Sequence, residues 1–325
     1  MCVKFISIAA RVITALFLLM VASGCREGHL PTANPDTELQ FRNELTAKHL
    51  AIWDSNGSKY HFLQFTGFQS PWKPFTWAAC SNGMAMGTVD NGRYILYEQA
   101  SCYPEDRLEI LTIDKNGLVI SRLEKPCREM EAFSKDLRHF ACWSACPGIS
   151  TGRSCLLLDS EDSIVTPAEL RASRDSLTPP WGGFDWSPDA SRLVYAKNNK
   201  VYVYSVLARK STMLGEGTNP SWSPDGAWIA YWQGDDLRVV SPDGSRSRTL
   251  VSDAKDGFTD RAKWSPDSAY VLIGYVSSTF ASWWANPLWD VDVRIEVVRV
   301  SDGMELTVLY PTMKGTRGME WIRLE

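Results

Sequence analysis

A five-residue motif, Trp222–Gly226 with the sequence Trp-Ser-Pro-Asp-Gly, is followed at once by the apolar run 228–231 and recurs along the chain. Trp-Ser-Pro-Asp also precedes apolar runs at Trp186 and Trp264, so the three tryptophans are 36 and 42 residues apart. A repeat of about 40 to 45 residues has the length of one four-stranded propeller blade. The spacing therefore predicts a β-propeller.

The motif has the residue types of a type I turn that joins two antiparallel strands. Ser and Pro suit its first two places, Asp is tolerated at the third, and Gly226 can take the positive φ that closes a hairpin through a bulge. The tryptophan ends the first strand, and burying it removes about 150 to 250 Å² from water. We assign a structural role to the repeat residues Trp186, Asp189, Trp222, Asp225, Gly226, Trp264, Asp267 and Trp321.

The three motif aspartates, Asp189, Asp225 and Asp267, allow two interpretations. Each carboxylate can bond its own turn backbone, as Asp does in turns. Alternatively, the three form a cluster that does chemistry or holds a metal. Blade spacing would place them at equivalent corners of different blades, too far apart to share a substrate, and this favours the structural interpretation.

The remaining strands predict an all-β fold, a six-bladed propeller of four-stranded blades. Residues 89–97 and 133–143 look like eroded copies of the anchor turn, and 318–322 repeats its approach to a tryptophan. Six apolar outer pairs complete the count: 50–63, 108–120, 155–165, 201–213, 237–250 and 293–309. We expect the C-terminal strand to pair with the N-terminal strands, since such closure removes exposed sheet edges.

The motif resembles the WD40-like repeat of the TolB family, whose members carry a six-bladed propeller with such corners. The resemblance covers most of residues 45–325 and is strongest over 184–275. It implies the fold, and it carries little information on function. TolB has an additional α/β domain before its propeller and no lipid anchor, so its particular partners are not carried over.

The N-terminal residues 1–24 are predicted to be a lipoprotein signal peptide. Lys4 and Arg11 precede the apolar stretch 12–21, which is short for a membrane span. The residues 22–24 before Cys25 resemble a lipobox, which implies a lipidated Cys25; the alternative is an ordinary signal peptide cut nearby. In enterobacterial lipoproteins, an aspartate directly after the lipidated cysteine signals retention at the inner membrane. This chain has Arg26 at that position, so we expect the protein to be anchored in the outer membrane, facing the periplasm.

The chain is thus divided into a signal peptide at 1–24, a lipidated cysteine and flexible tether at 25–44, and a TolB-like propeller at 45–325. The tether is polar and contains Pro31 and Pro35. Loss of the signal peptide changes the formal charge from −4 to −6. Because nucleic-acid binding needs a basic surface, this acidic balance argues against a nucleic-acid partner.

The six cysteines beyond Cys2 and Cys25 favour disulfides, because an even count in an exported protein is typical of them. They are Cys80, Cys102, Cys127, Cys142, Cys146 and Cys155. Zinc is the rival interpretation, since His139 is close in sequence to three of them. Their spacing does not match the paired cysteines of a zinc ribbon, so we predict no metal.

Catalytic signatures are scarce. The chain has four histidines, without metal-ligand spacing, and no Gly-x-Ser-x-Gly elbow. Related propellers precede the hydrolase domain of prolyl oligopeptidases and dipeptidyl peptidases. We predict no catalytic residue and no cofactor, and a non-enzymatic, monomeric propeller, although a hydrolase or lyase is not excluded.

Aromatic residues are concentrated in the long connections, which we assign to the end of the propeller opposite the anchor turns. Aromatic residues on loops over a rigid scaffold are typical of binding surfaces, although the same rings could pack onto the blades instead. The candidate partner-binding residues are Trp72, Trp181, Phe280, Trp283, Trp284 and Trp289.

Two functions follow from this surface. The first is an envelope scaffold that binds a protein partner through the aromatic loops. The second is a carbohydrate-active or peptidoglycan-binding propeller, which would use the same aromatic residues and a pair of carboxylates in a central funnel, about 5 to 9.5 Å apart.

Overall fold

The protein is represented by a computed structural model that describes residues 35–46, 48–54, 59–64, 73–74, 83–90, 92–99, 108–125, 129–145, 154–160, 163–165, 183–254, 261–277, 292–310 and 316–323. Within these residues the fold is almost entirely β, with one helix and 24 strands. The strands form six antiparallel sheets of four strands each, which is consistent with a β-propeller. The described helix is not long and apolar enough to cross a membrane.

Helix α1, Pro35–Leu45, lies in the segment that the sequence analysis assigns mostly to a tether. Proline, which begins this helix, is favoured at the first helical position. Arg42 lies in the last turn, where a cation is favourable. These preferences at the helix ends favour a helix in a segment that was predicted to be a tether because it has no apolar periodicity.

Sheet 1 contains the first three strands of the chain and the last one, in the order β24-β1-β2-β3. Residue by residue, β24 pairs with β1 from His49↔Ile322 to Trp53↔Gly318. The strands are β1 (His49–Asp54), β2 (Lys59–Gln64), β3 (Lys73–Pro74) and β24 (Thr316–Ile322).

The other five sheets each use four consecutive strands, paired in chain order. Sheet 2 contains β4 (Gly83–Val89), β5 (Tyr94–Gln99), β6 (Leu108–Ile113) and β7 (Val119–Lys125). Sheet 3 contains β8 (Glu129–Phe133), β9 (Phe140–Ala145), β10 (Ser154–Ser160) and β11 (Ser163–Val165). Sheet 4 contains β12 (Phe184–Trp186), β13 (Arg192–Lys197), β14 (Lys200–Ser205) and β15 (Lys210–Glu216). Sheet 5 contains β16 (Thr218–Trp222), β17 (Ile229–Gln233), β18 (Asp236–Val240) and β19 (Ser247–Val251). Sheet 6 contains β20 (Lys263–Trp264), β21 (Tyr270–Ser277), β22 (Asp292–Arg299) and β23 (Glu305–Tyr310).

Consecutive sheets pack face to face through apolar clusters. Trp222 of sheet 5 packs with Val194 and Val203 of sheet 4, and Trp264 of sheet 6 packs with Trp232 of sheet 5. The first strands of the sheets also approach each other: β8 contacts β12, β12 contacts β16, β16 contacts β20, β20 contacts β24, and β24 contacts β4. The core therefore lies between sheets.

The Trp-Ser-Pro-Asp turns connect the first and second strands of sheets 4, 5 and 6. In sheet 5, the Gly226 N–H donates to the Ser223 carbonyl at 2.9 Å, and Gly226 has a φ of 74°. Ala190 and Ser268 take the same positive φ in sheets 4 and 6. The turn therefore imposes a left-handed residue even where the sequence has no glycine.

Two details of the strand assignment differ from the sequence expectation. The stretch 50–63, expected to be an outer pair, forms β1 and β2, which are the second and third strands of sheet 1. Their outer neighbour is the two-residue strand β3, which was too short to give an apolar pattern. A further Ser-Pro-Asp-Gly turn, at 241–244, connects β18 to β19. Its chemistry is that of the anchor turns, and it lacks the preceding tryptophan.

Candidate functional site

An equivalent anchor residue ends the first strand of sheets 2 to 6 and stands second to last in β24 of sheet 1. The residue before each anchor we call the pre-anchor residue. The anchors of sheets 3 to 6 share one register, as in Trp186↔Leu193 and Trp222↔Ile229. Going from sheet 1 to sheet 6, the pre-anchor residues are Glu320, Thr88, Ala132, Asp185, Ser221 and Lys263. Since the first strands of neighbouring sheets contact each other, these positions bring charged groups from different sheets together.

Two of the four anchor tryptophans tie neighbouring sheets together through their indole nitrogen. Trp264 donates its indole N–H to the Ser221 carbonyl at 3.2 Å, and Trp321 donates to the Lys263 carbonyl at 3.0 Å. In both pairs the acceptor is the pre-anchor residue of the preceding sheet. The indole N–H groups of Trp186 and Trp222 are buried and have no hydrogen-bond partner among the described residues. Among the described residues, the indole-to-carbonyl bond is therefore missing between sheets 3 and 4 and between sheets 4 and 5.

Asp185 makes a different link at this place. Its Oδ2 accepts the Trp222 backbone N–H at 2.7 Å, and its Oδ1 lies 3.7 Å from an Arg261 guanidinium nitrogen. The same Arg261 nitrogen donates to the Phe184 carbonyl at 2.8 Å. A carboxylate and a guanidinium therefore connect β12 with β16 and with the residues before β20.

A cavity of about 110 Å³ lies against this cluster. Lys135, Asp185 and Arg261 contribute charged groups to its wall, and Trp186 and Trp222 contribute aromatic surface. Pro188 and Ser223 of two anchor turns also line it, so the cavity lies at the anchor-turn end of the first strands. Function was expected at the opposite end, and this charged cavity at the anchor-turn end was missed.

Lys135 occupies the place in its turn where the anchor turns of sheets 4, 5 and 6 have proline. Ser134-Lys135-Asp136 follows the anchor Phe133, whereas Ser-Pro-Asp follows Trp186 and Trp222. The Ser134 hydroxyl donates to Asp136, so the turn geometry is kept without the proline. Among the described residues no carboxylate lies within salt-bridge distance of Lys135.

Burial shifts the pKa values of Asp185 and Lys135 in opposite directions. Desolvation raises the pKa of Asp185, against the opposing effects of Arg261, the Trp222 N–H, Lys135 and Lys263. Desolvation by the surrounding protein lowers the pKa of Lys135, against the opposing effects of Asp185 and Asp225. Both shifts favour the neutral forms, because each group loses hydration in the low-dielectric wall of the cavity.

A second ion pair joins Lys263 of sheet 6 to Glu320 of sheet 1. Glu320 exposes 9% of its side chain and Lys263 exposes 24%. Both are pre-anchor residues, so this pair joins the last sheet to the sheet that contains both N-terminal and C-terminal strands.

The motif aspartates are engaged by their own turns. Asp189 accepts the Ser187 hydroxyl at 2.6 Å, and Asp225 accepts the Ser223 hydroxyl at the same distance. Asp267 accepts the Ser265 hydroxyl at 2.6 Å and also pairs with Lys48. These bonds correspond to the structural interpretation of the three carboxylates.

The anchor tryptophans are 1 to 9% exposed. Of the six cysteines, Cys142 is fully buried on β9, the side chain of Cys155 is outside the described part, and Cys80, Cys102, Cys127 and Cys146 lie outside the described residues. Disulfides therefore stay a prediction. Within the described residues, no group of three His, Cys, Asp or Glu side chains is placed to hold a metal.

The six candidate partner-binding aromatic residues and Cys25 lie outside the described residues. Their placement on a binding surface therefore stays a prediction.

Comparison with known proteins supports the fold and leaves the function open. No protein-family model matches the chain. The structure is similar to that of a putative TolB from Agrobacterium tumefaciens, with a TM-score of 0.50 and 17% identity, covering 83% of this chain and 91% of that one. An oligogalacturonate lyase in complex with manganese is more distant, with a TM-score of 0.42 and 13% identity over 82% of this chain and 73% of that one.

A curated relative matches in sequence. It is dipeptidyl-peptidase 5 from Porphyromonas gingivalis, 31% identical over 150 residues. The match covers 37% of this chain and 21% of the relative, so the chain spans about a fifth of that protein's length.

Proposed function

We propose that the protein is an envelope lipoprotein whose six sheets are the blades of a closed propeller, and that this propeller is a non-enzymatic binding module for a protein partner. The proposed closure rests on the pairing of β24 with β1 and on the contacts between successive first strands. The similarity to the TolB structure supports the architecture alone, because its sequence identity is low.

The observation that carries the binding proposal is the hairpin stem of sheet 6. Strands β21 and β22 pair without interruption from Tyr270↔Arg299 to Ser277↔Asp292. The segment 278–291, which contains Phe280, Trp283, Trp284 and Trp289, connects the two ends of this ladder. A rigid stem that presents large aromatic residues reduces the entropy lost on binding, and aromatic residues often dominate interface energetics.

The alternative, a carbohydrate-active propeller, has one observation in its favour. Burial raises the pKa of Asp185, as a general acid requires. The carboxylate is held by Arg261 and by the Trp222 backbone, and the other pre-anchor carboxylate, Glu320, is paired with Lys263. We rank this function second because both groups already have structural partners.

Affinity capture tests the first proposal. The mature lipoprotein, crosslinked in its native envelope, should capture a defined protein partner, and Trp283→Ala with Trp284→Ala should abolish capture without lowering the unfolding midpoint. Leu207→Ala is a matched control, because Leu207 is 96% exposed on the turn between β14 and β15. An identical set of captured proteins from the double variant and the wild type would refute the proposal.

The alternative has its own test. Purified protein is incubated with peptidoglycan and with oligosaccharides, and the release of reducing ends is measured. Activity that is lost in Asp185→Asn would support the enzyme, and the absence of product would exclude it for those substrates.

A further inference from the structure

We propose that the cavity between Lys135 and Arg261 binds an anionic group, a carboxylate or a phosphate, of a small ligand. The site is independent of the aromatic segment and of the protein partner proposed above. It lies at the other end of the first strands, among residues of sheets 2 to 5 and Arg261, which precedes β20.

The first support is charge. Lys135 brings a cation to the cavity wall without a salt bridge among the described residues, and Arg261 brings a second. Lys263 is near enough to act on Asp185 as well. Against these stand Asp185 in the wall and the more distant Asp225. An anion would supply a counter-charge to Lys135, whereas Arg261 already lies beside Asp185.

The second support is the departure from the repeat. Sheet 4 has neither of the indole-to-carbonyl bonds that join sheets 5, 6 and 1, and the two unpartnered indole N–H groups belong to residues of the cavity wall. Lys135 replaces the turn proline at the same place. A buried N–H without a partner is costly, so its retention calls for an explanation such as a ligand or ordered water.

The size of the cavity limits the ligand. A volume of about 110 Å³ corresponds to three or four water molecules at about 30 Å³ each. It accommodates a carboxylate or phosphate group with little else. The rest of the ligand would lie outside the cavity.

Asp185 makes the site sensitive to pH. At low pH a protonated Asp185 presents no negative charge to the ligand, and its hydroxyl is a hydrogen-bond donor. The groups acting on it are Arg261, Lys135, Lys263 and the Trp222 N–H. Anion affinity should therefore rise as the pH falls through the pKa of Asp185, and Asp185→Asn should bind more tightly at neutral pH.

The experiment uses sodium acetate and sodium phosphate as probes at constant ionic strength, with sodium chloride as reference. The unfolding midpoint of the purified protein is measured against probe concentration, since a ligand that binds the folded state raises it in a saturable way. We expect saturation with at least one probe, and the two probes distinguish carboxylate from phosphate recognition. Lys135→Gln should weaken binding at least tenfold, and Lys210→Gln, which removes an exposed lysine on β15, should not.

Two results would overturn the proposal: no saturable shift with either probe, or a shift that Lys135→Gln leaves unchanged. A second measurement does not depend on a variant that folds. Crystals soaked in sodium bromide should show an anomalous peak beside the Lys135 ammonium group. Bromide peaks elsewhere on the protein but none in this cavity would also overturn the proposal.

Discussion

The indole N–H of Trp321 donates to the carbonyl oxygen of Lys263 at 3.0 Å, so that sheet 1 is bonded to sheet 6 by an anchor residue. Trp264 repeats this bond to Ser221 at 3.2 Å. The side chain of Trp321 is 1% exposed. The anchors of the repeat therefore do two things: they fill the space between sheets, and at two places they bond the sheets together.

This difference between anchors predicts different costs of replacing tryptophan by phenylalanine. Both Trp321→Phe and Trp222→Phe lose buried ring area. Only Trp321→Phe leaves a part-buried carbonyl, that of Lys263, without its indole donor, at a cost of about 1 kcal/mol more. The free energy of unfolding from urea titrations should fall further in Trp321→Phe, and equal losses in the two variants would contradict the assigned bond.

Glycines in two of the turns after the first strands should tolerate alanine differently. Gly92 has a φ of 86° and Gly226 one of 74°, so alanine is strained at both. A Cβ on Gly92 would lie 2.9 Å from Cγ of Pro266, whereas on Gly226 the nearest atoms of Pro188 are 3.6 Å away. We expect Gly226→Ala to cost about 1 kcal/mol and Gly92→Ala about 1 to 3 kcal/mol more, from overpacking.

The experiment compares the midpoints of thermal unfolding of the two variants with that of the wild type. Ala190, which has a φ of 55°, shows that the fold accepts alanine at the position of sheet 4 that is equivalent to Gly226. A larger loss in Gly226→Ala than in Gly92→Ala would contradict the predicted clash.

Acid should weaken the anchor turn of sheet 4. The Ser187 hydroxyl that donates to Asp189 lowers the pKa of that carboxyl below its ordinary value of 3.8. The resulting stability is present above the unfolded pKa and is lost as the pH falls through the lower folded pKa. Between pH 5 and pH 2, about the range over which such carboxyls titrate, the wild type should therefore lose more stability than Asp189→Asn. Asp235→Asn controls for the loss of one exposed charge, and equal acid losses in Asp189→Asn and the wild type would disprove the effect.

Asp185 should show the opposite dependence. Its pKa is raised by burial, so the folded state holds this proton more tightly than the unfolded state. Its contribution to stability is fully present below the unfolded pKa and is lost as the pH rises through the raised folded pKa. As the pH rises across that interval, the free energy of unfolding of Asp185→Asn should therefore increase relative to that of the wild type. Denaturant titrations at several pH values measure it, and a difference that does not vary with pH would rule out the raised pKa.

The disulfide prediction is tested by counting thiols. Mature protein from the envelope, denatured without reductant, should contain no thiol that reacts with a thiol reagent. After reduction it should show six thiols, because Cys25 is predicted to be lipidated. A count of six before reduction would disprove the disulfides.

Sequence reasoning reached the sheets because each strong repeat has a tryptophan, a Ser-Pro-Asp turn and an apolar strand after it. It predicted Trp186, Trp222 and Trp264 as buried anchors, and it anticipated a strand at 318–322. It missed Asp185 and Lys135, since each is an ordinary polar residue beside a stronger motif. Arg261 has no local pattern at all: only the packing of sheet 4 near β20 brings it to Asp185.

The missed residues nevertheless leave a signal that can be seen once the repeats are aligned. The position before each anchor is occupied by Thr88, Ala132, Asp185, Ser221, Lys263 and Glu320, so it is not under the apolar constraint of a core position. Lys135 departs from the proline at its turn position. Deviations from a structural repeat are therefore a better guide to the charged cavity than the repeat itself.

The pairing of β24 with β1 also bears on how the protein is made. The two strands are about 270 residues apart in the chain, so sheet 1 cannot be completed until residues 316–322 have been synthesised. Contacts between such distant residues form slowly during folding. Until then β1 keeps an unpaired edge, which is a site of aggregation. A chain that terminates early would keep this edge permanently, and this would mark it for proteolysis during biogenesis.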